Sequence, residues 1–212
     1  MDYILEILPY IWGGAANAFK VYGVTIVCAI PLGIICAMGR LSKFKPLSLL
    51  IDMYTWLFRG TPLMLQLFFF YFGLMNVYPM PALTAACVTF VINYTAYFTE
   101  IFRAGIQSID KGQYEAAKAL GMTYGQTMKR IVIPQGVKVV IPPLGNEAIT
   151  LIKDTALISV ISLADITKNA KVVAARDFDI TSYVVAALIY LAITFVIINV
   201  FRQIEKKFAY YR

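Results

Sequence analysis

The chain has no histidine, only three cysteines, and few charges: Asp, Glu, Lys and Arg make up 15% of its 212 residues. Soluble domains carry about 25%. Without histidine the commonest general base is missing, so acid–base chemistry would fall to Asp, Glu or Lys. Cys28, Cys36 and Cys87 lie in apolar stretches without metal-ligand spacing, and no histidine completes a site. They read as small apolar packing residues. No Gly-x4-Gly-Lys-Ser/Thr occurs, so the chain has no phosphate-cradling loop of its own. The first ten residues carry Asp2 and Glu6 and lack a basic start, so they do not read as a cleaved signal peptide. The net charge is +7, yet no basic patch with interleaved aromatics stands in a soluble segment, and nucleic-acid binding is not expected.

Apolar residues are abundant instead: 60% of the chain is hydrophobic, and the mean hydropathy is +0.71. A bilayer core of about 30 Å is crossed by about 20 helical residues. Five segments fit: Val21–Met38, Pro62–Tyr78 with an interfacial lead-in at Ile51–Arg59, Ala82–Phe102, Val139–Ser162 and Tyr183–Phe201. Tyr3–Trp12, apolar with acidic interruptions, is expected along the membrane surface. The predicted fold is a single all-α transmembrane domain of five helices over residues 1–212, in a multi-pass membrane protein.

Charge placement predicts the orientation. With the N-terminus outside and the C-terminus inside, the cytoplasmic side holds Arg40, Lys43, Lys45, Arg59, Arg103, Lys111, Lys118, Lys129, Arg130, Lys138, Arg202, Lys206, Lys207 and Arg212. That is most of the 19 basic residues, as the positive-inside rule requires. Tyr78–Pro81 reads as a tight outer hairpin. Leu163–Thr181 reads as the longest outer segment, suited to a soluble partner or simply solvated.

One polar, basic segment interrupts the apolar chain: Glu115-Ala116-Ala117, three residues, Gly121, nine residues, then Ile131-Val132-Ile133-Pro134. Tyr114–Leu120 has high helix propensity, Gly121 suits a helix stop, and Met122–Met128 can form a second short helix. A short helix tethered between two membrane spans is a docking element. The pattern resembles the EAA loop of the inner-membrane subunits of binding-protein-dependent ABC importers, with Ile133 at a position that is Leu in the family. The resemblance implies a cytoplasmic coupling helix between spans three and four, within about 110–134, seated in a groove of an ATP-binding subunit. Glu115 would pair with a basic residue there, Ala116 and Ala117 would permit close approach, and Gly121 would end the helix.

Polar residues also stand inside two spans. Asn93, Tyr97 and Glu100 fall at i, i+4 and i+7, with Thr89 one turn earlier. Asn146, Thr150, Lys153 and Asp154 fall at i, i+4, i+7 and i+8, with Glu147 beside them. Charges at membrane depth usually face a cavity or a partner. One reading is a hydrophilic path between two facing stripes, offering donors to a carboxylate and acceptors to an ammonium group, with extra acidic groups favouring a cationic side chain. The other is structural ion pairing, Glu100 with Arg103 and Lys153 with Asp154 or Glu147. Pro142, Pro143 and Gly145 predict a break near the start of span four. Ala29, Gly33 and Ala37 predict a helix-packing stripe, and Pro31 a bend.

The stretch Asn93–Ile106, the run Phe58-Arg59-Gly60-Thr61-Pro62 and the run Lys153-Asp154-Thr155-Ala156-Leu157 resemble the histidine, glutamine and arginine permease group of polar amino acid ABC importers. The resemblance covers nearly the whole chain. It implies a non-catalytic permease that carries amino acids by alternating access. Its partners would be an ATP-binding subunit holding ATP and Mg, a second transmembrane subunit (identical or related), an extracytoplasmic amino-acid-binding protein and the lipid bilayer. No cofactor is expected in this chain. The rival reading is a secondary transporter driven by an ion gradient through Glu100, Glu147 and Asp154; no inverted repeat supports it, and the odd span count disfavours it. An intramembrane enzyme lacks a nucleophile-and-base constellation.

Overall fold

The computed structural model describes residues 2–74 and 77–208. Arg212 and the tip of the expected second span therefore lie outside the described residues. Every regular element among them is helical: α1 (Asp2–Gly13), α2 (Ala15–Arg40), α3 (Lys45–Gly60), α4 (Leu63–Phe68), α5 (Ala82–Gln107), α6 (Lys111–Ala119), α7 (Tyr124–Thr127), α8 (Ile133–Asp154), α9 (Ile166–Asp177) and α10 (Thr181–Phe208). π-helical turns follow α4 (Phe69–Gly73) and α7 (Met128–Val132), and a 3-10 turn follows α8 (Thr155–Ile161).

Three stretches are long and apolar enough to cross a membrane: Asp2–Arg40, Ala82–Gln107 and Thr181–Phe208. The other two expected spans differ for separate reasons. Leu63–Gly73 is a shorter apolar helix whose last turn widens to π geometry. The 22-residue α8 is about 33 Å long at 1.5 Å per residue, but Lys138, Glu147, Lys153 and Asp154 make it polar.

The α2–α5 pair is the centre of the fold. Ala29, Gly33 and Ala37 are buried along one stripe of α2, as their spacing predicts. A Cβ at Gly33 would come 2.7 Å from Cβ of Phe98, so glycine sets this approach. Phe90, Tyr94 and Phe98 fill the core on the α5 side, with Leu67, Leu151, Ile158 and Ile161. A second core joins α1, α9 and α10 through Ile7, Ile11, Ile166, Val185 and Ile189.

Two expectations are corrected. The segment Leu163–Thr181 is not a plain loop but contains α9. The reason is a cap: Asp165 accepts from Thr167 N at 3.0 Å and Lys168 N at 2.9 Å, satisfying the first free donors of the helix. Asn169 Nδ2 then donates to Tyr10 O and Asn17 Nδ2 to Ala164 O, both at 2.8 Å, fastening α9 to α1 and α2. The second correction concerns Pro142 and Pro143, which lie inside an unbroken α8. The helix starts earlier, at Ile133, where helical backbone runs on without a break from the π turn at Met128–Val132 and Pro134 takes the second position.

Candidate functional site

At one end of α5 a cavity of about 470 Å³ is lined by Arg59, Tyr97, Glu100, Arg103, Pro143 and Glu147, among others. Its charges come from three elements, and each is positioned by a visible device. Arg59 ends α3 beside the turn into α4. That turn is held from α5: Asn93 Nδ2 donates to Phe58 O and Gln66 Oε1, both at 2.9 Å. Gln66 Nε2 returns to Phe58 O at 3.0 Å and Thr61 Oγ1 at 2.8 Å. The Arg59 guanidinium lies over the Tyr97 ring, 5.6 Å from its centroid, within cation–π range.

Glu100 is engaged twice. Arg103 Nη2 lies 2.7 Å from Glu100 Oε2, with Arg103 Nε 3.2 Å from Oε1, a two-point pair one turn along α5. Arg59 Nη1 approaches Oε2 at 3.6 Å. The ion-pair reading of Glu100 with Arg103 is therefore what the geometry contains, inside the cavity wall. Glu147 enters the same cavity from α8. No side chain among the described residues hydrogen-bonds its carboxylate. The cavity thus offers two guanidinium groups, one shared carboxylate and one uncommitted carboxylate.

The stripe on α8 divides into two faces. Asn146, Thr150 and Lys153 are exposed; Glu147 and Asp154 are half-buried. At 100° per residue, 147 and 154 coincide, whereas 146, 150 and 153 point about a quarter turn away. Asp154 accepts from Tyr94 OH at 2.8 Å, and Thr150 Oγ1 donates to Asn146 O of its own helix at 3.0 Å. Of the six path candidates, Tyr97 and Glu100 share the cavity. Asn93 buttresses it from behind, Asp154 lies against α5, and Thr150 and Lys153 face outward. Of the other charged lining residues, Arg59 had no place in the stripe argument, Arg103 entered it only as an ion-pair partner of Glu100, and Glu147 only as a residue beside the stripe. Glu147 had a signal, since it stands seven residues before Asp154.

The segment around Glu115 is built from two caps. Asp110 starts α6 by accepting from Gly112 N at 2.7 Å. At its end Gly121 takes φ +72°, the left-handed region where glycine is unstrained. Met122 N bonds to Ala117 O and Gly121 N to Lys118 O, both at 3.0 Å, the paired bonds of a Schellman stop. Thr123 and Gln126 then form a reciprocal capping box on α7. The second helix is shorter than expected, Tyr124–Thr127, because the backbone widens to π geometry at Met128. Glu115, Ala116 and Gly121 are exposed; Ala117 is buried against its own chain.

On the opposite surface Tyr3 OH donates to Asp177 Oδ2 at 2.7 Å, and Arg176 pairs with the same carboxylate. The Arg176 contact, with Tyr3 behind it, holds the Asp177 carboxyl down at about 2.

An all-helical apolar protein with a charged internal cavity and an exposed, doubly capped loop defines a class, that of membrane transport components. The chain belongs to the family of binding-protein-dependent transport system inner membrane components, whose model matches residues 29–210. It is 38% identical over 203 residues to the arginine transport system permease protein ArtQ of Bacillus subtilis (strain 168), covering 94% of this chain and 93% of that one. It is 39% identical over 183 residues to the glutamate/aspartate import permease protein GltK of Escherichia coli O6:H1 (strain CFT073), covering 82% of each. Among solved structures, an amino acid ABC transporter crystallised with histidines superposes with a TM-score of 0.90 at 35% identity, over 97% of both chains. Relatives of equal identity thus carry names with oppositely charged amino acids, so identity alone does not name a substrate.

Proposed function

We propose that this chain is one of a pair of transmembrane subunits of an ABC importer that moves polar amino acids into the cytoplasm. The observation that carries the reading is the outward face of α8. Asn146, Thr150 and Lys153 are exposed on a helix long enough to span, and lipid does not solvate such groups. A second transmembrane subunit against this face would turn it into the wall of an aqueous path. Five spans, with the N-terminus outside and the C-terminus inside, agree with the charge distribution. They put the charged cavity at the cytoplasmic end of α5.

A zwitterionic amino acid matches that cavity chemically. Its carboxylate would meet the guanidinium groups of Arg59 and Arg103, and its ammonium group the free carboxylate of Glu147. Tyr97 would orient both through the Arg59 stack, and Asn93 would hold Arg59 in place. Glu100 neutralises the second positive charge. Thr150, Lys153 and Asp154 line the way toward the cavity from the outside, with Lys153 drawing the carboxylate inward. An extracytoplasmic binding protein would deliver substrate to the α1–α9–α10 surface.

The α6–α7 segment is the coupling element. Glu115, Ala116 and Gly121 present its free surface to an ATP-binding subunit, which holds ATP and Mg and does the hydrolysis. Closure of that subunit would push α6 and α7, and the rigid caps would pass the displacement to α5 and α8. Alternating access then follows from nucleotide favouring one of two conformations.

The experiment is equilibrium binding of an amino acid panel to the purified complex without its binding protein, comparing wild type with Glu147→Gln. Loss of a direct charged contact at a desolvated site weakens binding by roughly tenfold or more, with assembly unchanged. Unaltered affinity in a well-assembled Glu147→Gln complex would remove this cavity from the path.

A further inference from the structure

A second, larger cavity of about 780 Å³ lies between α2, α5, α7 and α8, at the end of the bundle that carries the α6–α7 segment. Its wall is apolar: Met38 and Ile34 from α2, Phe102 and Ile106 from α5, Val137 and Leu144 from α8. The size is that of a ligand site, since such cavities run from about 300 to 1,000 Å³. The charged cavity beside it shares Gly105 with it but otherwise takes different residues of α5 and α8, and its charged side chains do not line the apolar one. The chain around its rim is basic. Lys43 follows the lining residue Ser42, and Lys129 and Arg130 follow the lining residue Met128. All three cations are exposed, and none has an ion pair or hydrogen bond among the described residues. Arg40, by contrast, is already bound to Asp52. On the α2 side, Ile35 is 63% and Met38 65% exposed, so the apolar wall continues onto the lipid-facing surface.

We propose that this cavity takes an acyl chain of an anionic phospholipid whose head group rests on Lys43, Lys129 and Arg130. The apolar wall accounts for the tail, and the three free cations distinguish this occupant from a neutral lipid. A buried chain would fill the gap between the π turn at Met128–Val132 and the α2–α5 pair, so it would brace the α6–α7 segment from behind. The inference rests on membrane insertion, which the family establishes, and not on the substrate or on docking to an ATPase.

The test uses the purified complex in nanodiscs of mixed phosphatidylcholine and phosphatidylglycerol. A trace of phosphatidylglycerol with a photoreactive group at the end of one acyl chain is added, and adducts are mapped by peptide mass spectrometry. A phosphatidylcholine probe with the same chain is the comparison. Adducts on Met128, Val137 or Leu144 are expected, favoured with the anionic probe. Lys129→Gln with Arg130→Gln, both on an exposed turn, should reduce that preference by about fivefold per charge removed. Val137→Trp should abolish the adduct at Leu144 by filling the space; if it does not fold, the charge variants decide alone. Equal labelling by the two probes, adducts confined to the outer faces of α2 and α10, or a peptide of a second protein chain cross-linked in the cavity would each overturn the proposal.

Discussion

Tyr94 and Asp154 join the two central helices: the Tyr94 hydroxyl, in the middle of α5, donates to Asp154 Oδ2 at the end of α8, at 2.8 Å. Tyr94 is 1% exposed and packs between Phe90 and Phe98, so the bond is anchored on the α5 side. Tyr94→Phe keeps the ring and removes the donor from a half-buried carboxylate. The expected cost is about 1–3 kcal/mol, read as a lower thermal midpoint of the detergent-solubilised complex. Asp154→Asn keeps an acceptor for the hydroxyl and should cost less. Equal losses, or none, would mean that the bond does not tie the helices.

Gly13 and Gly14 make a sharper pair, because they are neighbours with opposite surroundings. A Cβ at Gly14 would lie 2.3 Å from the backbone C and O of Asp165, whereas nothing lies within 4 Å of one at Gly13. Gly14→Ala must move backbone at the start of α9, an overpacking cost of about 1–3 kcal/mol. Gly13→Ala should be close to neutral. Limited proteolysis of the α9 region reports the difference, and identical cleavage rates would contradict the close approach.

The architecture was legible in the sequence wherever periodicity and caps agree. The Ala29–Gly33–Ala37 stripe marked a packing face of α2, and Gly121 marked the end of α6, whereas the Asp110 cap at its start was not read. The α9 helix was not legible, because Ile166–Asp177 is only weakly apolar and its start depends on one carboxylate, Asp165, folding back on its own backbone. The cavity was half legible. Tyr97 and Glu100 share a face of α5, but Arg59 reaches them from another helix. Its position depends on the Asn93–Gln66–Phe58 bonds, which link residues far apart in the chain. On α8, a tolerance of one residue in helical spacing merged two faces, so Glu147 was set beside the stripe instead of on the face it shares with Asp154.

Gly121→Arg should separate folding from coupling. Its left-handed backbone adds about 1–2 kcal/mol of strain for a residue with a Cβ, and the site is open, so the remainder of the chain is untouched. The variant should insert in the membrane at normal levels and fail to co-purify with the ATP-binding subunit. Gly121→Asn, which tolerates this conformation, should retain most of the association. Full assembly and transport by Gly121→Arg would remove the α6–α7 segment from the coupling role.

Topology gives a further check. With Cys28, Cys36 and Cys87 replaced by alanine, a cysteine at the exposed position Lys118 should react with an impermeant thiol reagent only from the cytoplasmic side. One at the exposed position Lys171 should react only from outside. The reverse pattern would overturn the orientation and the coupling reading together.

The most direct measurement is uptake of radiolabelled amino acids by proteoliposomes. They would contain this chain with its ATP-binding subunit, with ATP enclosed on the side of the α6–α7 segment and the binding protein on the other. The account predicts accumulation of a polar amino acid that requires hydrolysable ATP, persists when ionophores collapse all ion gradients, and is strongly reduced by Glu147→Gln. Uptake that proceeds without ATP and stops with the ionophores would contradict it, and would identify an ion-coupled transporter instead.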